Sequence, residues 1–337
     1  MRTAVLGTGG WGTALALVLC DNGHDVALWS RTPAKAEEMA RTRENPLLKG
    51  VPLPEALKIT GDLDCLEGAD LVVSAPPSFA VRETGEKIAP HLRPETILVT
   101  ASKGIERDTD LRMSQILQQT TGDARRGRRI VALSGPSHAE EVGLRLPTGC
   151  VAASPDRDAA RTVQKAFMND RFRVYTSVDI VGVELAAALK NVIALCCGIC
   201  TGMGFQDNTK ALLMTRAMAE IGRLGEYMGG QRRTFGGLAG MGDLIVTCTS
   251  MHSRNNRAGI LIGQGRSVRE AMEEVGAVVE GYYAAESVHQ LAEREGVEMP
   301  ICRCAYEVLY QGRRPQDVVP ELMGRAGKDE LLGAAWL

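Results

Sequence analysis

A lysine in an apolar run and a serine–arginine–asparagine cluster are the residue types most suited to chemistry. Lys190 lies in residues 184–192, ELAAALKNV, where most neighbours are apolar. Burial would disfavour its charge and lower its pKa, which suits proton transfer, although a surface lysine is the alternative. Ser253, Arg254 and Asn255 combine a helix-capping hydroxyl, a guanidinium and an amide. Together they predict a site for a phosphate group.

Two further stretches place polar residues near predicted helix starts. Residues 236–244, GGLAGMGDL, are predicted to form a flexible loop ending in the carboxylate of Asp243. Residues 134–140, SGPSHAE, end a strand pattern, and Ser137 and Glu140 have the spacing of a capping box. In an open α/β sheet such a helix start faces the edge where ligands bind, though the same residues could serve only as a cap.

The first residues contain a glycine cluster, GTGGWG, with Gly7, Gly9 and Gly12 in the pattern GxGxxG. The cluster follows a strand pattern at residues 3–7 and precedes a helix pattern beginning near Gly10. In this position the glycines permit a tight turn, close approach of a pyrophosphate and close packing of helix on strand. A bound dinucleotide is therefore predicted, with a purely structural glycine turn as the alternative.

The end of the second predicted strand indicates which dinucleotide binds. Ser30 and Arg31 stand about 20 residues beyond the glycine cluster, where an acidic residue favours NAD and an arginine accommodates the 2′-phosphate of NADP. Asp25 lies at the start of that strand, too far away to contact the ribose. The pattern predicts that NADP is used at least as well as NAD, unless Arg31 is only an exposed loop residue.

Strand and helix patterns alternate through the first half of the chain. Strands are predicted at residues 3–7, 25–29, 70–75, 96–102, 129–135, 149–154 and 172–176, separated by helical patterns such as 156–168. Beyond Val178 only helical patterns remain, at residues 182–200, 207–224, 268–275 and 283–295. The fold class is predicted to be α/β, with a doubly wound Rossmann-type domain over residues 1–180 and an all-helical, substrate-binding domain over residues 181–337.

Charge and hydropathy exclude two classes of partner. The formal net charge of −2 over 337 residues argues against broad affinity for nucleic acid. The one basic run, residues 125–129, is predicted to be a solvated loop. Residues 191–206 are the longest uncharged stretch in the apolar middle of the chain, and they are too short for a membrane span. They are predicted to belong to a buried helix.

The cysteines indicate a reducing compartment. Nine is an odd number, and residues 1–20 are interrupted by glycines in a way that does not suit a secretory signal. A cytoplasmic location with reduced thiols is predicted. Cys197 and Cys200 form a CxxC pair, but the apolar residues around them favour buried small side chains over a redox or metal pair. No second cluster supports a metal site.

Several motifs, taken together and in order, resemble the bacterial-type NAD(P)-dependent glycerol-3-phosphate dehydrogenases nearly end to end. The matching stretches are GTGGWGTALA at residues 7–16, SKGIE at 102–106, LSGPSHAEEV at 133–142, LKNVIAL at 189–195, GDLIVTCTS with SRN within 242–255, and VVEG at 278–281. The resemblance implies that dihydroxyacetone phosphate is reduced to sn-glycerol 3-phosphate, with NADP or NAD as cofactor, for glycerophospholipid synthesis.

The resemblance also implies roles for individual residues. Lys190 is expected to donate and accept the proton, and Lys103 is expected to be a second catalytic residue near both ligands. The substrate contacts that it implies are Lys103, Gly135, Ser137, Lys190, Asp243, Ser253, Arg254 and Asn255. The cofactor contacts that it implies are Gly7, Gly9, Gly10, Trp11, Gly12, Arg31, Lys103, Ala139, Arg254 and Glu280.

Some features depart from the family pattern or leave alternatives open. His138 stands where the family usually has Phe, Asn256 where a basic residue is common, and Thr201 where Asp usually precedes Gly202. A related hydroxy-acid dehydrogenase would also use basic groups, for a carboxylate. A redox sensor that binds NAD(P)H without turnover would not need Lys190 or the 253–255 cluster. The sequence leaves the oligomeric state open, with a homodimer as one option.

Overall fold

The first half of the chain forms one eight-stranded sheet in the order β3-β2-β1-β4-β5-β6-β7-β8. The structure is a computed structural model that describes residues 1–122, 129–327 and 330. The strands are β1 (Arg2–Leu6), β2 (Asp25–Trp29), β3 (Lys58–Thr60), β4 (Leu71–Ser74), β5 (Ile97–Thr100), β6 (Ile130–Ser134), β7 (Thr148–Ala153) and β8 (Phe172–Ser177). Every neighbouring pair is parallel except β6 and β7. The predicted α/β fold class is confirmed.

Helices follow the strands and cover the sheet. They are α1 (Gly10–Asp21), α2 (Pro33–Thr42), α3 (Val81–Ile88), α4 (Met113–Thr121), α5 (Ala139–Gly143) and α6 (Arg157–Phe167). The central strands are buried along their whole length, as the LVVS of β4 and the ILVT of β5 show. Such continuous apolar runs suit strands of a parallel sheet that is covered on both faces.

Within its described residues, 179–327 and 330, the second half contains helices and no strand. Its helices are α7 (Ile180–Gly202), α8 (Asp207–Tyr227), α9 (Arg232–Phe235), α10 (Asp243–Thr249), α11 (Arg254–Gly263), α12 (Val268–Val275), α13 (Glu280–Glu295), α14 (Pro300–Tyr310) and α15 (Pro315–Met323). The predicted change from alternating strands to helices is confirmed. The predicted basic loop at 125–129 lies outside the described residues, apart from Arg129.

Helix α7 is the central helix of this second half. It is long and apolar enough to span a bilayer, yet 83% of its most apolar window is buried inside the protein. Cys197 and Cys200 lie on it as buried, free thiols, as the sequence predicts, and all nine cysteines are free. Because α8, α10, α11 and α13 pack around it, α7 is the core of the helical half.

The two halves are joined by a buried ion pair. Glu184, near the start of α7, accepts hydrogen bonds from Arg112 Nη1 at 2.5 Å and from the Ser114 backbone N–H at 2.7 Å. Burial raises the pKa of Glu184, although the Arg112 guanidinium opposes the shift. Removing one partner of a buried ion pair is strongly destabilising, because the other charge is left without compensation. The Arg112–Glu184 pair therefore stabilises the packing of α7 against the start of α4.

The fold differs from the sequence-based expectation in two places. Strand β3 has no counterpart in the sequence prediction because it is only three residues long and begins with the exposed Lys58. Part of the loop predicted at 236–244 is helical instead: residues Leu238–Gly242 form a π-helical turn, and Ala239 and Gly240 are buried. The turn leads directly into α10, whose first residue is Asp243.

Candidate active site

A cleft of about 590 Å³ lies between the carboxyl edge of the sheet and the helical half. Thirteen of the predicted site residues line it: Gly9, Gly10, Trp11, Gly12, Lys103, Ser137, Ala139, Lys190, Asp243, Ser253, Arg254, Asn255 and Glu280. The segments just after β1, β4, β5 and β6 supply the sheet side of this lining. This is the edge at which open α/β sheets bind ligands. Gly7, Arg31 and Gly135 are not among the lining residues.

A buried carboxylate joins two ammonium groups in this cleft. Lys190 Nζ donates to Asp243 Oδ1 at 2.5 Å, and Lys103 Nζ donates to Asp243 Oδ2 at 2.7 Å. Lys103 follows β5, whereas Lys190 and Asp243 lie on α7 and α10. Asp243 therefore connects the two halves of the protein at the point where their ligand-binding residues meet.

Thr247 completes the environment of Lys190. Lys190 Nζ donates to Thr247 Oγ1 at 2.6 Å, and that hydroxyl donates to the Asp243 carbonyl at 2.6 Å. The sequence analysis did not include Thr247, although its position one helical turn after Asp243 places both on one face of α10. The Lys190 ammonium is thus held by two oxygens, and its third N–H remains for another acceptor.

The electrostatics of this cluster favour proton transfer near neutral pH. Burial lowers the pKa of Lys190 to about 8, although the charge of Asp243 opposes the shift. Burial would raise the pKa of Asp243, but the neighbouring Lys103 and Lys190 ammonium groups lower it. Asp243 therefore stays ionised while Lys190 can give up its proton at a physiological pH.

The glycine cluster has the geometry of a dinucleotide loop. Gly7 has a φ of +114°, which side chains rarely adopt, and a Cβ on Gly12 would lie 2.1 Å from the Gly7 carbonyl oxygen. Helix α1 begins at Gly10 and has no side-chain cap. Trp11 Nε1 is buried and has no hydrogen-bond partner among the described residues. These free donors at a helix start fit a pyrophosphate, so the residues present fit the predicted cofactor.

Glu280, a predicted cofactor contact, lies where the two halves meet. At the start of α13, it accepts from the Ser78 backbone N–H at 3.1 Å and from Ser78 Oγ at 2.5 Å. Burial raises its pKa, although these bonds oppose the shift. Ser78 follows β4 and was not singled out in the sequence. Glu280 thus lines the cleft and holds the helical half against the sheet.

Asn255 binds other protein residues as well as lining the cleft. Its Nδ2 donates to Asn191 Oδ1 at 3.1 Å, and its Oδ1 accepts from the Gly281 N–H at 2.8 Å. These bonds join α7, α11 and α13. Ser253 caps α11 by accepting from the Asn256 N–H at 3.2 Å, so the predicted helix start at this cluster is confirmed.

The predicted capping box at Ser137 is wrong. Helix α5 begins at Ala139, and the residue before it, His138, makes no side-chain cap. Ser137 Oγ instead donates to the Gly135 carbonyl at 3.0 Å, which turns the hydroxyl back towards the strand end. Gly135 is packed against β7, because a Cβ there would lie 2.6 Å from the Gly149 carbonyl oxygen. The Gly135 carbonyl also accepts from Lys103 Nζ at 3.3 Å, which connects Gly135 to the site.

Arg31 lies outside the cleft lining on an exposed segment. Its guanidinium forms an ion pair with Glu83 at 3.5 Å, and both side chains are more than half exposed. Glu83 also binds Lys87 at 2.5 Å. The sequence could not reveal this contact, because Glu83 lies on α3 and approaches Arg31 only in the folded chain.

The three departures from the family pattern have local structural roles. Asn256 is buried and donates to the Cys248 carbonyl at 2.7 Å, which ties α11 to α10. Thr201 donates to the Cys197 carbonyl at 3.0 Å at the exposed end of α7. His138 lines the cleft, with Nε2 3.3 Å from the Val246 carbonyl and its ring 5.8 Å from that of His252. Burial lowers the pKa of His138.

Comparison with known proteins agrees with this geometry. The family model described as NAD-dependent glycerol-3-phosphate dehydrogenase N-terminus matches residues 2–160, and the one described as the C-terminus matches residues 179–320. The chain belongs to the NAD-dependent glycerol-3-phosphate dehydrogenase family. The C-terminal match begins at Asp179, the residue that caps α7.

Relatives in this family match nearly the whole chain. The enzyme named glycerol-3-phosphate dehydrogenase [NAD(P)+] from Desulfitobacterium hafniense is 49% identical over 98% of this chain and 93% of its own length. Its namesake from Shouchella clausii is 47% identical over 98% of both chains. The crystal structure of glycerol-3-phosphate dehydrogenase from Coxiella burnetii is 37% identical and has a TM-score of 0.91, covering 96% of this chain and 98% of its own.

Across residues 1–122, 129–327 and 330, no three His, Cys, Asp or Glu side chains form a group that could hold a metal ion. The charged residues that line the cleft are Lys49, Lys103, Glu140, Lys190, Asp243, Arg254, Arg257 and Glu280.

Proposed function

We propose that this protein reduces dihydroxyacetone phosphate to sn-glycerol 3-phosphate with NADPH or NADH, and so supplies the backbone of glycerophospholipids. The observation that carries the proposal is the buried Lys190 ammonium, 2.5 Å from Asp243 in a cleft that the glycine loop also lines. Membership of the family and the names of the relatives support the same reaction.

The glycine loop and the start of α1 would hold the cofactor. The uncapped N–H groups at Gly10, Trp11 and Gly12 would bind the pyrophosphate, and the positive end of the helix favours its charge. When bound, the nicotinamide supplies the hydride. Lys103, Ala139, Arg254 and Glu280 lie on other walls of the same cleft and would contact the cofactor there.

Lys190 would supply the proton. As the C2 carbonyl of the substrate is reduced, its oxygen gains negative charge, which an adjacent ammonium stabilises and then protonates. Asp243 and Thr247 fix two of the three Lys190 N–H groups, so the third has a defined direction. Lys103, held by the other oxygen of Asp243, adds a second positive charge beside the reacting oxygen.

A local cluster would bind the substrate phosphate, because the chain as a whole has a net charge of only −2. Arg254 lines the cleft at the first turn of α11, and no carboxylate of the described residues lies within 4.0 Å of its guanidinium. An arginine presents several N–H donors in a fixed fork, which suits phosphate oxygens. Ser253 and Asn255, on either side of it, line the same wall, and Ser137 lines the opposite one.

A comparison of substrates tests this proposal. NADPH oxidation should be rapid with dihydroxyacetone phosphate and very slow with dihydroxyacetone or 2-keto acids, and the product should be sn-glycerol 3-phosphate. Faster turnover of a 2-keto acid would instead identify a hydroxy-acid dehydrogenase. Binding of NADPH without turnover of any of these carbonyl compounds would indicate a redox sensor.

Two further assignments belong with this proposal. We place a dinucleotide-binding domain at residues 1–180 and a substrate-binding domain at 181–337; the end of β8 at Ser177 and the start of α7 at Ile180 support that boundary. We also assign the protein to the cytoplasm, which its nine free cysteines support. Fractionation of the source cells, with the activity followed in each fraction, tests the location.

A further inference from the structure

Besides Arg31, a second cationic side chain lies near the glycine loop. It is Lys35, in the first turn of α2. Its Nζ donates to the Thr8 carbonyl at 3.0 Å, and Thr8 lies between the first two glycines of the loop. Within the described residues no carboxylate lies within 4.0 Å of Nζ. The Lys35 side chain is partly buried, and this burial lowers its pKa without compensation from a charged neighbour.

The groups around Lys35 mark the place where the adenosine ribose would lie. Ser30, directly after β2, has its Oγ 3.2 Å from Thr8 Oγ1, and the same Oγ accepts from the Thr32 N–H at 3.3 Å. In dinucleotide-binding domains the end of the second strand contacts the ribose hydroxyls of the adenosine. By this rule the 2′ position of a bound dinucleotide would lie near the Lys35 ammonium and the hydroxyls of Ser30 and Thr8.

Neither Lys35 nor Arg31 is among the residues that line the cleft, but Lys35 is the less exposed of the two and has no carboxylate partner among the described residues. Arg31 is mostly exposed and already paired with Glu83. Lys35 has three N–H donors, and among the described residues only one of them has an acceptor, the neutral Thr8 carbonyl. A partly desolvated ammonium gains more from a new anion than an exposed guanidinium that has a carboxylate partner, because solvent screens the exposed charge.

We propose that Lys35 binds the 2′-phosphate of NADP and thereby favours binding of NADPH over NADH. The inference rests on the proposed function, since it assigns one residue to the cofactor of that reaction. It differs from the sequence-based expectation, which gave this role to Arg31 alone. Nothing in it depends on the substrate side of the cleft.

Nucleotide binding to the protein without substrate tests the proposal. The probes are adenosine 2′,5′-bisphosphate and 5′-AMP, which differ only in the 2′-phosphate, and calorimetry gives both dissociation constants. In Lys35→Met the constant for the bisphosphate should rise about 10-fold or more, the effect of one charged hydrogen bond, while that for 5′-AMP changes less than about twofold. Lys35→Arg keeps the charge and should recover most of the difference.

Two controls separate a direct contact from an effect on the loop. Lys58→Met removes a lysine at the start of β3, where Nζ binds Asp25 at 2.8 Å, away from the carboxyl ends of the strands. It should leave both dissociation constants unchanged. The Thr8 carbonyl also accepts from Asn45 Nδ2 at 3.2 Å, so the loop keeps a contact when Lys35 is replaced.

The outcomes are distinct. Equal losses for both nucleotides in Lys35→Met would show that Lys35 only supports the loop, and no loss for either would show that it does not contact the ligand. Either result overturns this inference and leaves the proposed reaction intact. If the native protein bound neither nucleotide, the dinucleotide site itself, and with it the proposed function, would be wrong.

Discussion

Lys190 and Asp243 form a buried ion pair across two helices, with Nζ 2.5 Å from Oδ1 and both side chains almost fully inaccessible to solvent. The residues are 53 positions apart in the chain, and α7 and α10 bring them together. The pair fixes the proton donor in the cleft, while burial lowers the pKa of Lys190 to about 8. The predictions below follow from this arrangement and from the residues around it.

The rate of ketone reduction should fall as the pH rises through the pKa of Lys190. That pKa is about 8 in the free protein, below the usual lysine value, and only the protonated form can donate. We expect kcat/KM for dihydroxyacetone phosphate to be constant near pH 7 and to fall about 10-fold for each unit above pH 8. Steady-state rates between pH 7 and 9.5 test this, and a flat profile would exclude Lys190 as the donor.

Replacement of Asp243 should move this profile to lower pH. In Asp243→Asn the carboxylate that raises the pKa of Lys190 is gone, so the pKa should fall by about one unit or more. The variant should also lose about 3–5 kcal/mol of stability, because two lysines lose a buried partner. Kinetic pH profiles and urea unfolding measure the two effects. An unchanged profile in a folded variant would show that Asp243 does not control Lys190.

Arg254→Lys should lower kcat/KM selectively for the phosphorylated substrate. The lysine keeps the charge but loses the planar fork, so kcat/KM for dihydroxyacetone phosphate should fall about 10-fold or more. Unphosphorylated dihydroxyacetone, a very poor substrate, should be affected much less. Equal proportional losses for the two substrates would show that Arg254 serves the cofactor or the fold instead of the phosphate.

Arg31→Ala should weaken the binding of NADPH only slightly. Because Arg31 is exposed and paired with Glu83, its net contribution should be that of a surface charge, about 0.2–1 kcal/mol, which corresponds to less than about a sixfold change in the dissociation constant. NADH binding should not change. Fluorescence titration with both cofactors tests this. If NADPH affinity fell more in Arg31→Ala than in Lys35→Met, Arg31 would be the main contact of the 2′-phosphate.

Much of the fold could be predicted because its patterns are local. The apolar runs of β4 and β5, and the apolar residues around Lys190, predict burial from the sequence alone. The features that could not be predicted depend on tertiary contacts. Nothing in the sequence near Ser137 shows that its hydroxyl donates to the Gly135 carbonyl. The short strand β3 forms by pairing with β2, which its own residues do not indicate. Thr247 is different, since its spacing from Asp243 on a predicted helix could have revealed it.

The site could be predicted as a set of residues but not as a network. The sequence gives no sign that Lys103 and Lys190 share one carboxylate, because the contacts span residues 103 to 243 and need both halves of the chain. The same holds for Ser78 and Glu280, which are far apart in the chain and meet at the wall of the cleft. Such partners become visible only when the sheet and the helical half are packed together.

The central claim is that Lys190 protonates the substrate during reduction of dihydroxyacetone phosphate. The most direct measurement compares NADPH oxidation with saturating dihydroxyacetone phosphate in the native protein, in Lys190→Met and in Lys165→Met, an exposed control on α6. We expect kcat to fall at least about 100-fold in Lys190→Met and to stay unchanged in the control, while NADPH binding persists in both. Near-native kcat in Lys190→Met would contradict the account.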